Sequence, residues 1–244
     1  MQSEAGLAQA ERALGLDPTL ASAYAELSFL AYAQGDVFTA LTMARNAYDA
    51  DAYLSNSDLI LSRLFWTSYD TEQFGEATKW CDEGRRRFPK DGRFSACQLW
   101  MMLTPDAKPD IDQAWRLAAR TDSLYPPDDK PLFSHLDTII VGGVIGRASK
   151  AAPAGPVKKS LRDSAERVLV SARPDLKTDP ERELVGYEAL MRTLMGDLET
   201  AVTMLKQYVA INPDHSFEVG GNIHWWWRDL RSNPGFQAVM KRKG

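Results

Sequence analysis

Pairs of small residues seven positions apart recur along this sequence, and they constrain the fold more than any other feature. The pairs, two of which end on a larger residue, are Gly6 and Ala13, Ala40 and Ala47, Ala77 and Gly84, Ala114 and Thr121, Ala165 and Ala172, and Ala201 and Tyr208. Positions seven apart lie two turns apart on one helix face, where small side chains let a neighbouring helix approach closely. The first members are spaced by 34, 37, 37, 51 and 36 residues, which predicts an array of paired helices.

Turn-forming residues occupy fixed places in the same repeat. In most copies a proline follows the second small residue by five positions, as Pro89 and Pro213 do, and proline ends a helix because it lacks the backbone N–H. Gly35 and Gly196 each precede the next small alanine by five positions, which predicts a tight turn between paired helices. A loop of small residues at 149–157 accounts for most of the one long interval.

This pattern resembles the tetratricopeptide repeat (TPR) family, whose unit is a helix A, a turn and a helix B. The unit at about 21–54 carries the resemblance most clearly, through Tyr24, Leu27, Gly35, Ala40 and Ala47. The last unit, at about 182–215, keeps the family's turn glycine, helix-B alanine and proline but has Glu188 where the family has leucine. The resemblance covers roughly residues 5–215.

The resemblance implies an all-α, right-handed TPR-type solenoid of helical hairpins that forms a single domain over residues 1–244. We expect regular repeats at about 5–126, an irregular repeat with an inserted loop at 127–180, a last repeat at 181–215 and a C-terminal cap at 216–244. The expected helices are 5–15, 20–34, 37–49, 56–69, 73–87, 93–103, 110–123, 130–148, 157–173, 181–195, 198–210 and 222–242, the last with a possible break at Asn233-Pro234. No segment alternates with a period of two, so we expect no strands.

The composition disfavours a membrane span and a nucleic-acid partner. The formal net charge is -4, whereas a generic nucleic-acid binder is more basic. The longest apolar stretch, 132–145, contains His135 and Asp137 and is predicted to be a buried helix that does not insert in a membrane. The N-terminus has neither the basic start nor the apolar run of a signal peptide, so we expect the cytoplasm, or an extracytoplasmic place if the parent protein is membrane-tethered. The oligomeric state stays open.

The sequence contains no recognisable catalytic, cofactor or metal motif. Its two cysteines and three histidines, among them His215, do not have the spacing of zinc ligands. Gly142 and Gly146 do not belong to a phosphate-binding loop, and their one-turn spacing indicates close helix packing. We therefore expect no enzyme activity, no metal and no cofactor. One alternative is a ligand pocket or active site in the irregular centre, which would require three polar side chains to converge: His135, Asp137 and Arg147.

The family resemblance also implies which residues contact a partner. In TPR proteins, fixed positions of helix A line a concave groove, and these positions here are largely aromatic and apolar. The groove residues so implied are Phe29, Tyr32, Arg63, Trp66, Tyr69, Leu99 and Leu103. Ala25 and Phe29 stand where carboxylate-gripping TPR modules have Lys and Asn, so that clamp is expected to be absent. An aromatic groove suits a peptide or helix of a protein partner, although the same side chains could instead pack between repeats.

Three consecutive tryptophans, Trp225, Trp226 and Trp227, form a second aromatic feature. Consecutive helical residues point about 100° apart, so one helix face cannot bury all three. We expect one or two of them to cover the end of the last repeat. The alternative is an aromatic contact site, because tryptophan is enriched at binding hot spots.

Taken together, these patterns predict a non-enzymatic protein-protein interaction module that binds a peptide or helix in an aromatic groove. A second hypothesis is a regulatory or sensory TPR region of a multidomain bacterial signalling protein, such as a serine/threonine kinase, an adenylate cyclase or a transcriptional activator. The C-terminal stretch 230–237 motivates that hypothesis, because it resembles the ends of TPR regions in such proteins.

Overall fold

Helices follow one another along the whole described part of the chain, and no strand occurs there. The structure is a computed structural model that describes residues 2–213 and 224–240, with the backbone alone for residues 2–4. The chain forms two compact units, Met1–Pro89 and Lys90–Gly244. The all-α fold of successive helical hairpins is confirmed, and a single continuous solenoid over the whole chain stays a prediction.

The first unit contains five helices that pack in chain order. They are α1 (Gln2–Leu16), α2 (Ala21–Ala33), α3 (Val37–Ala50), α4 (Ser57–Asp70) and α5 (Phe74–Arg87). Each helix contacts the next, and α2 also contacts α4. This arrangement places α2 and α4, the two A helices of consecutive hairpins, side by side.

The second unit begins with three hairpins and ends with two short elements. Its helices are α6 (Gly92–Met101), α7 (Ile111–Asp122), α8 (Lys130–Ala151), α9 (Pro156–Ser171), α10 (Glu183–Met195) and α11 (Leu198–Ile211), followed by a 3-10 helix (Trp225–Leu230) and α12 (Pro234–Met240). The first four pack in sequence, α8 also packs against α10, and α10 packs against α11. The 3-10 helix contacts α10 and α12 contacts α11, so both elements pack against the last hairpin.

The small residues at seven-residue spacing lie inside the helix packing. From the second pair onward every member is buried: Ala40, Ala47, Ala77, Gly84, Ala114, Thr121, Ala165, Ala172, Ala201 and Tyr208. The first pair, Gly6 and Ala13, is only half-buried. The periodicity therefore identified the packed face of each helix B, because close helix approach requires small side chains there.

The interhelical turns adopt the conformation that the repeat predicts. Gly35 and Gly196 have φ of 79° and 85°, in the left-handed region that glycine enters without steric cost. Glu72 occupies the same place in the second hairpin, five residues before Ala77, and it has φ of 63°. The turn geometry therefore persists where the sequence no longer has a glycine, because the flanking helices set it.

The irregular centre is more regular than the sequence predicts. The expected loop at 149–157 contracts to residues 152–155, since α8 extends to Ala151 and α9 begins at Pro156, where proline suits the first helical position. A Cβ added to Gly142 would lie 2.7 Å from Leu169 Cδ2, and one added to Gly146 would overlap the Met195 side chain. The predicted close helix packing at these two glycines is confirmed.

The predicted C-terminal helix at 222–242 is two elements. Residues 222–223 and 241–242 lie outside the described residues, as does His215. The break falls at the predicted Asn233-Pro234 step, where Asn233 Oδ1 accepts hydrogen bonds from the backbone N–H groups of Gly235 and Phe236. An asparagine in this role begins a new helix at Pro234, so the chain changes direction there.

Candidate interaction site

The A helices of the first unit bring together part of the predicted groove. Phe29 and Tyr32 lie on α2, one turn apart, and Arg63 and Trp66 lie one turn apart on α4. Leu59 precedes Arg63 by four residues and therefore lies on the same face of α4. We call these five residues the Arg63 patch.

Arg63 joins the two helices through aromatic contacts. Its guanidinium carbon lies 3.9 Å from the centre of the Tyr32 ring and 5.7 Å from the centre of the Phe29 ring. A guanidinium over an aromatic face is attracted by the ring quadrupole. Burial lowers the pKa of Arg63, and the nearby Tyr32 and Asp70 counter this effect. The guanidinium stays charged, because arginine loses its proton only at far higher pH than proteins meet.

Tyr32 is held in place by a buried carboxylate. Its hydroxyl donates a hydrogen bond of 3.1 Å to Asp70 Oδ2, and Asp70 is buried at the end of α4. This bond fixes the ring on which Arg63 rests. Sequence reasoning missed Asp70 because the pair spans 38 residues and has no local signal.

The patch exposes apolar surface on both sides of the arginine. Phe29 is 57% exposed and Leu59 is 55% exposed. Tyr32, Arg63 and Trp66 are half-buried. Sequence reasoning also missed Leu59, although its spacing of one helical turn from Arg63 was a usable signal.

Three predicted groove residues have no surface to offer a partner. Tyr69 and Leu99 are fully buried and Leu103 is 1% exposed, so their side chains belong to the core. Tyr69 stacks on Phe65 with ring centres 5.7 Å apart. A Cβ added to Gly143 would lie 3.3 Å from Leu103 Cδ2, which places Leu103 against α8. The positional frame of the family selects these residues, but Tyr69 and Leu99 lie on inward-facing sides of α4 and α6, and Leu103 packs inward just after the end of α6.

The tryptophan cluster acts mainly as a cap. Trp225 and Trp227 are buried, and Trp227 lies 6.0 Å from the Phe236 ring. Trp226 is half-buried and makes an edge contact with Trp100 at 6.2 Å. The three side chains share a 3-10 helix in which two of them point inward, so the expected division between cap and rim is present.

The three polar residues of the irregular centre do not converge. His135 Nδ1 lies 2.7 Å from the carbonyl oxygen of Ala172, whereas Asp137 accepts a hydrogen bond from the Tyr125 hydroxyl. Arg147 donates to three backbone carbonyl oxygens, those of Met102, Pro105 and Ala107. Each side chain therefore stabilises a different local structure, and no shared pocket joins them.

An ion-pair network around the buried Arg192 and Glu188 joins the last repeat to the irregular centre, and the sequence did not reveal it. Arg192 is buried on α10 and pairs with Glu166, Glu188 and Asp197 at 2.7–3.0 Å. Arg173 donates two hydrogen bonds to the Glu188 carboxylate, one to each oxygen, and shares Oε1 with Arg192. Burial lowers the pKa of Arg192, but its hydrogen bonds to Glu166 and Glu188 outweigh this and raise the pKa. Two arginines therefore compensate the charge of Glu188 at this buried position.

The described residues hold no group of three or more His, Cys, Asp or Glu side chains arranged for a metal ion. Within the same residues, no helix is long and apolar enough to cross a membrane.

Consecutive helical hairpins define this chain as an all-α helical-repeat protein. No protein-family model matches the sequence, and no curated protein matches it. Among solved structures, the chain is similar to YrrB, described as a TPR protein with an unusual peptide-binding site. The TM-score is 0.45 and the sequence identity is 14%, over 85% of this chain and 94% of that chain.

Proposed function

We propose that this chain is a non-enzymatic protein-protein interaction module, and that the Arg63 patch contacts a peptide or helix of its partner. The observation that carries the proposal is the exposed apolar surface of Phe29 and Leu59 around a charged, partly desolvated arginine. Apolar side chains grouped on neighbouring helices favour binding, because covering them removes apolar area from water.

The helical framework supports this function. The side chains of the patch project from α2 and α4, which contact each other and are each packed in a hairpin. A preformed surface reduces the ordering cost of binding on this side of the complex. The Tyr32–Asp70 hydrogen bond adds to this rigidity, because it holds the ring beneath Arg63.

The test compares two phenylalanines of equal exposure. Phe29 lies in the patch and is 57% exposed, whereas Phe38 lies on α3 and is 59% exposed. We expect partners captured from host lysate by the wild type to be lost by Phe29→Ala and by Leu59→Ala, and to be kept by Phe38→Ala. With an isolated partner, the two patch variants should weaken Kd roughly 30-fold, as truncation of a binding hot spot does.

Circular dichroism establishes that the three variants are folded before binding is compared. Equal capture by Phe29→Ala and by the wild type would contradict the proposal. Loss of capture by Phe38→Ala alone would move the contact surface to α3.

A further inference from the structure

Among the described residues, no carboxylate accepts a hydrogen bond from the Arg63 guanidinium. Its contacts in the described part of the chain are the faces of Phe29 and Tyr32, and no described residue accepts a hydrogen bond from it or forms an ion pair with it. The carboxylate that acts on it electrostatically, that of Asp70, accepts a hydrogen bond of 3.1 Å from the Tyr32 hydroxyl. A guanidinium offers five N–H donors in a planar fork, so a half-buried one without an acceptor retains strong binding capacity for a carboxylate.

The Tyr32 ring covers one face of the Arg63 guanidinium and leaves the edge of the guanidinium for an acceptor. The guanidinium lies against the Tyr32 face, and Asp70 fixes Tyr32 from within the unit. The N–H groups at the edge of a stacked guanidinium stay available for a planar acceptor. Because Arg63 is already partly desolvated, a partner's carboxylate gains more here than at a fully solvated arginine.

Apolar surface extends along α4 on both sides of the cation. Leu59 lies one turn before Arg63 and Trp66 lies one turn after it, while Phe29 approaches from α2. A partner chain that covers this surface must continue past the carboxylate in both directions. The geometry therefore favours the side chain of an internal Asp or Glu over a chain-terminal carboxylate.

We infer that the Arg63 patch binds an acidic-apolar segment, in which an internal Asp or Glu pairs with Arg63 and flanking apolar side chains cover Phe29 and Leu59. This inference rests on the proposed function and names the chemistry of the partner. The carboxylate is held by Arg63 on α4, whereas the carboxylate-gripping TPR modules hold theirs with Lys and Asn at positions where this chain has Ala25 and Phe29.

The experiment uses a random peptide library displayed on phage and selected on the full chain. We expect enriched peptides to share an Asp or Glu beside apolar residues. In a synthetic copy of an enriched peptide, changing that acid to its amide should weaken Kd for the wild type roughly 10- to 100-fold. The same change should cost less than about threefold with Arg63→Gln, because the charge partner is already gone.

Arg63→Lys separates the charge from the planar fork, and we expect it to recover only part of the affinity. Amidation of the peptide C-terminus should leave Kd unchanged. A strong loss on amidation would overturn the internal carboxylate in favour of a terminal one.

The outcomes distinguish this inference from the function on which it rests. Enriched peptides that lack an acid, or whose acid-to-amide change costs the same with Arg63→Gln as with the wild type, would overturn the inference. If those peptides still lose affinity with Phe29→Ala, the interaction function stands without the carboxylate. Failure to enrich any peptide, or full affinity for Phe29→Ala, would overturn both.

Discussion

The two units both consist of packed helical hairpins, but they differ in how many charged side chains they bury. Among the described residues of Met1–Pro89, Asp70 is the one charged side chain that is buried. Among the described residues of Lys90–Gly244, four charged side chains are buried: Asp137, Asp179, Glu188 and Arg192. Both units nevertheless consist of helical hairpins with small residues on the packed face. A repeat position can therefore change from apolar to charged when its neighbours supply the opposite charge or a hydrogen bond.

Glycine has two uses in these units, one in turns and one in close contact between helices. Gly35 in the first unit supplies a turn with φ of 79°, and no atom of another residue would contact an added Cβ there. In the second unit, Gly142 and Gly146 lie inside α8, where an added Cβ would overlap Leu169 and Met195. Gly35 is therefore suited to its place by its backbone conformation, as Gly196 is in the second unit, whereas Gly142 and Gly146 allow close contact between helices.

The largest expected effect tests the charged interior of the second unit. Arg192→Met removes the arginine that pairs with Glu188, Glu166 and Asp197, and Glu188 stays buried with Arg173 as its remaining partner. We expect the free energy of unfolding to fall by about 3–5 kcal/mol, because a buried charge loses most of its compensation. Urea denaturation followed by circular dichroism measures it.

The double variant Glu188→Leu, Arg192→Met is the control for that prediction. It puts an apolar side chain at each of the two buried positions and removes both charges, so we expect it to recover most of the lost stability. If the double variant is as unstable as Arg192→Met, the network is not the reason for the loss, and the contrast between the two interiors fails.

A pH series tests the buried carboxyl group of Asp137, which lies in the same unit. Burial raises the pKa of Asp137 to about 7, and Tyr125 donates a hydrogen bond to its carboxylate. The folded state holds this proton more tightly than the unfolded state does, so its contribution to stability is lost as pH rises. Between pH 5 and pH 8 the free energy of unfolding should fall by about 2–3 kcal/mol on account of this group. Asp137→Asn should not show that fall.

The matched control for the pH series is Asp163→Asn, since Asp163 is on the surface and pairs with Lys159 at 2.6 Å. That pair lowers the pKa of Asp163, so its titration lies below this pH range. Asp163→Asn should therefore retain the wild-type decline between pH 5 and pH 8. A decline of the same size in Asp137→Asn would show that another group causes it.

The smallest effect sharpens the contrast in glycine usage. Gly35→Ala should lower the free energy of unfolding by about 1–2 kcal/mol, because alanine is strained at φ of 79° although space is available. Gly75→Ala, inside α5 and equally free of neighbours, should instead raise it by up to about 1 kcal/mol. Thermal unfolding of the two variants measures the difference. Equal shifts would mean that the turn conformation at Gly35 is not required.

Local pattern predicted most of the fold. Each of the eleven helices expected up to residue 210 begins or ends within two residues of its expected position, because proline, glycine and helical periodicity act within one or two turns of the chain. The same reasoning found the glycine contacts of α8. It overestimated the loop after α8, since the helix continues through small residues to Ala151.

The candidate site was only partly predictable. Phe29, Tyr32, Arg63 and Trp66 come together on α2 and α4 as the repeat frame implies. Leu99 has the same periodicity but is buried, because periodicity names a helix face without saying what covers it. The difference between a groove residue and a core residue depends on the neighbouring helix.

The sequence by itself determined the helices, their turns and the small faces on which they pack, because these features follow from local backbone preference and periodicity. Only the tertiary structure decided which aromatic side chains are exposed around Arg63 and which charges become neutralised. Those outcomes depend on contacts between residues far apart in the chain, such as Tyr32 with Asp70 and Glu166 with Arg192. A single hydroxyl or guanidinium reaches its partner only after the helices have packed, so no local sequence pattern predicts these contacts.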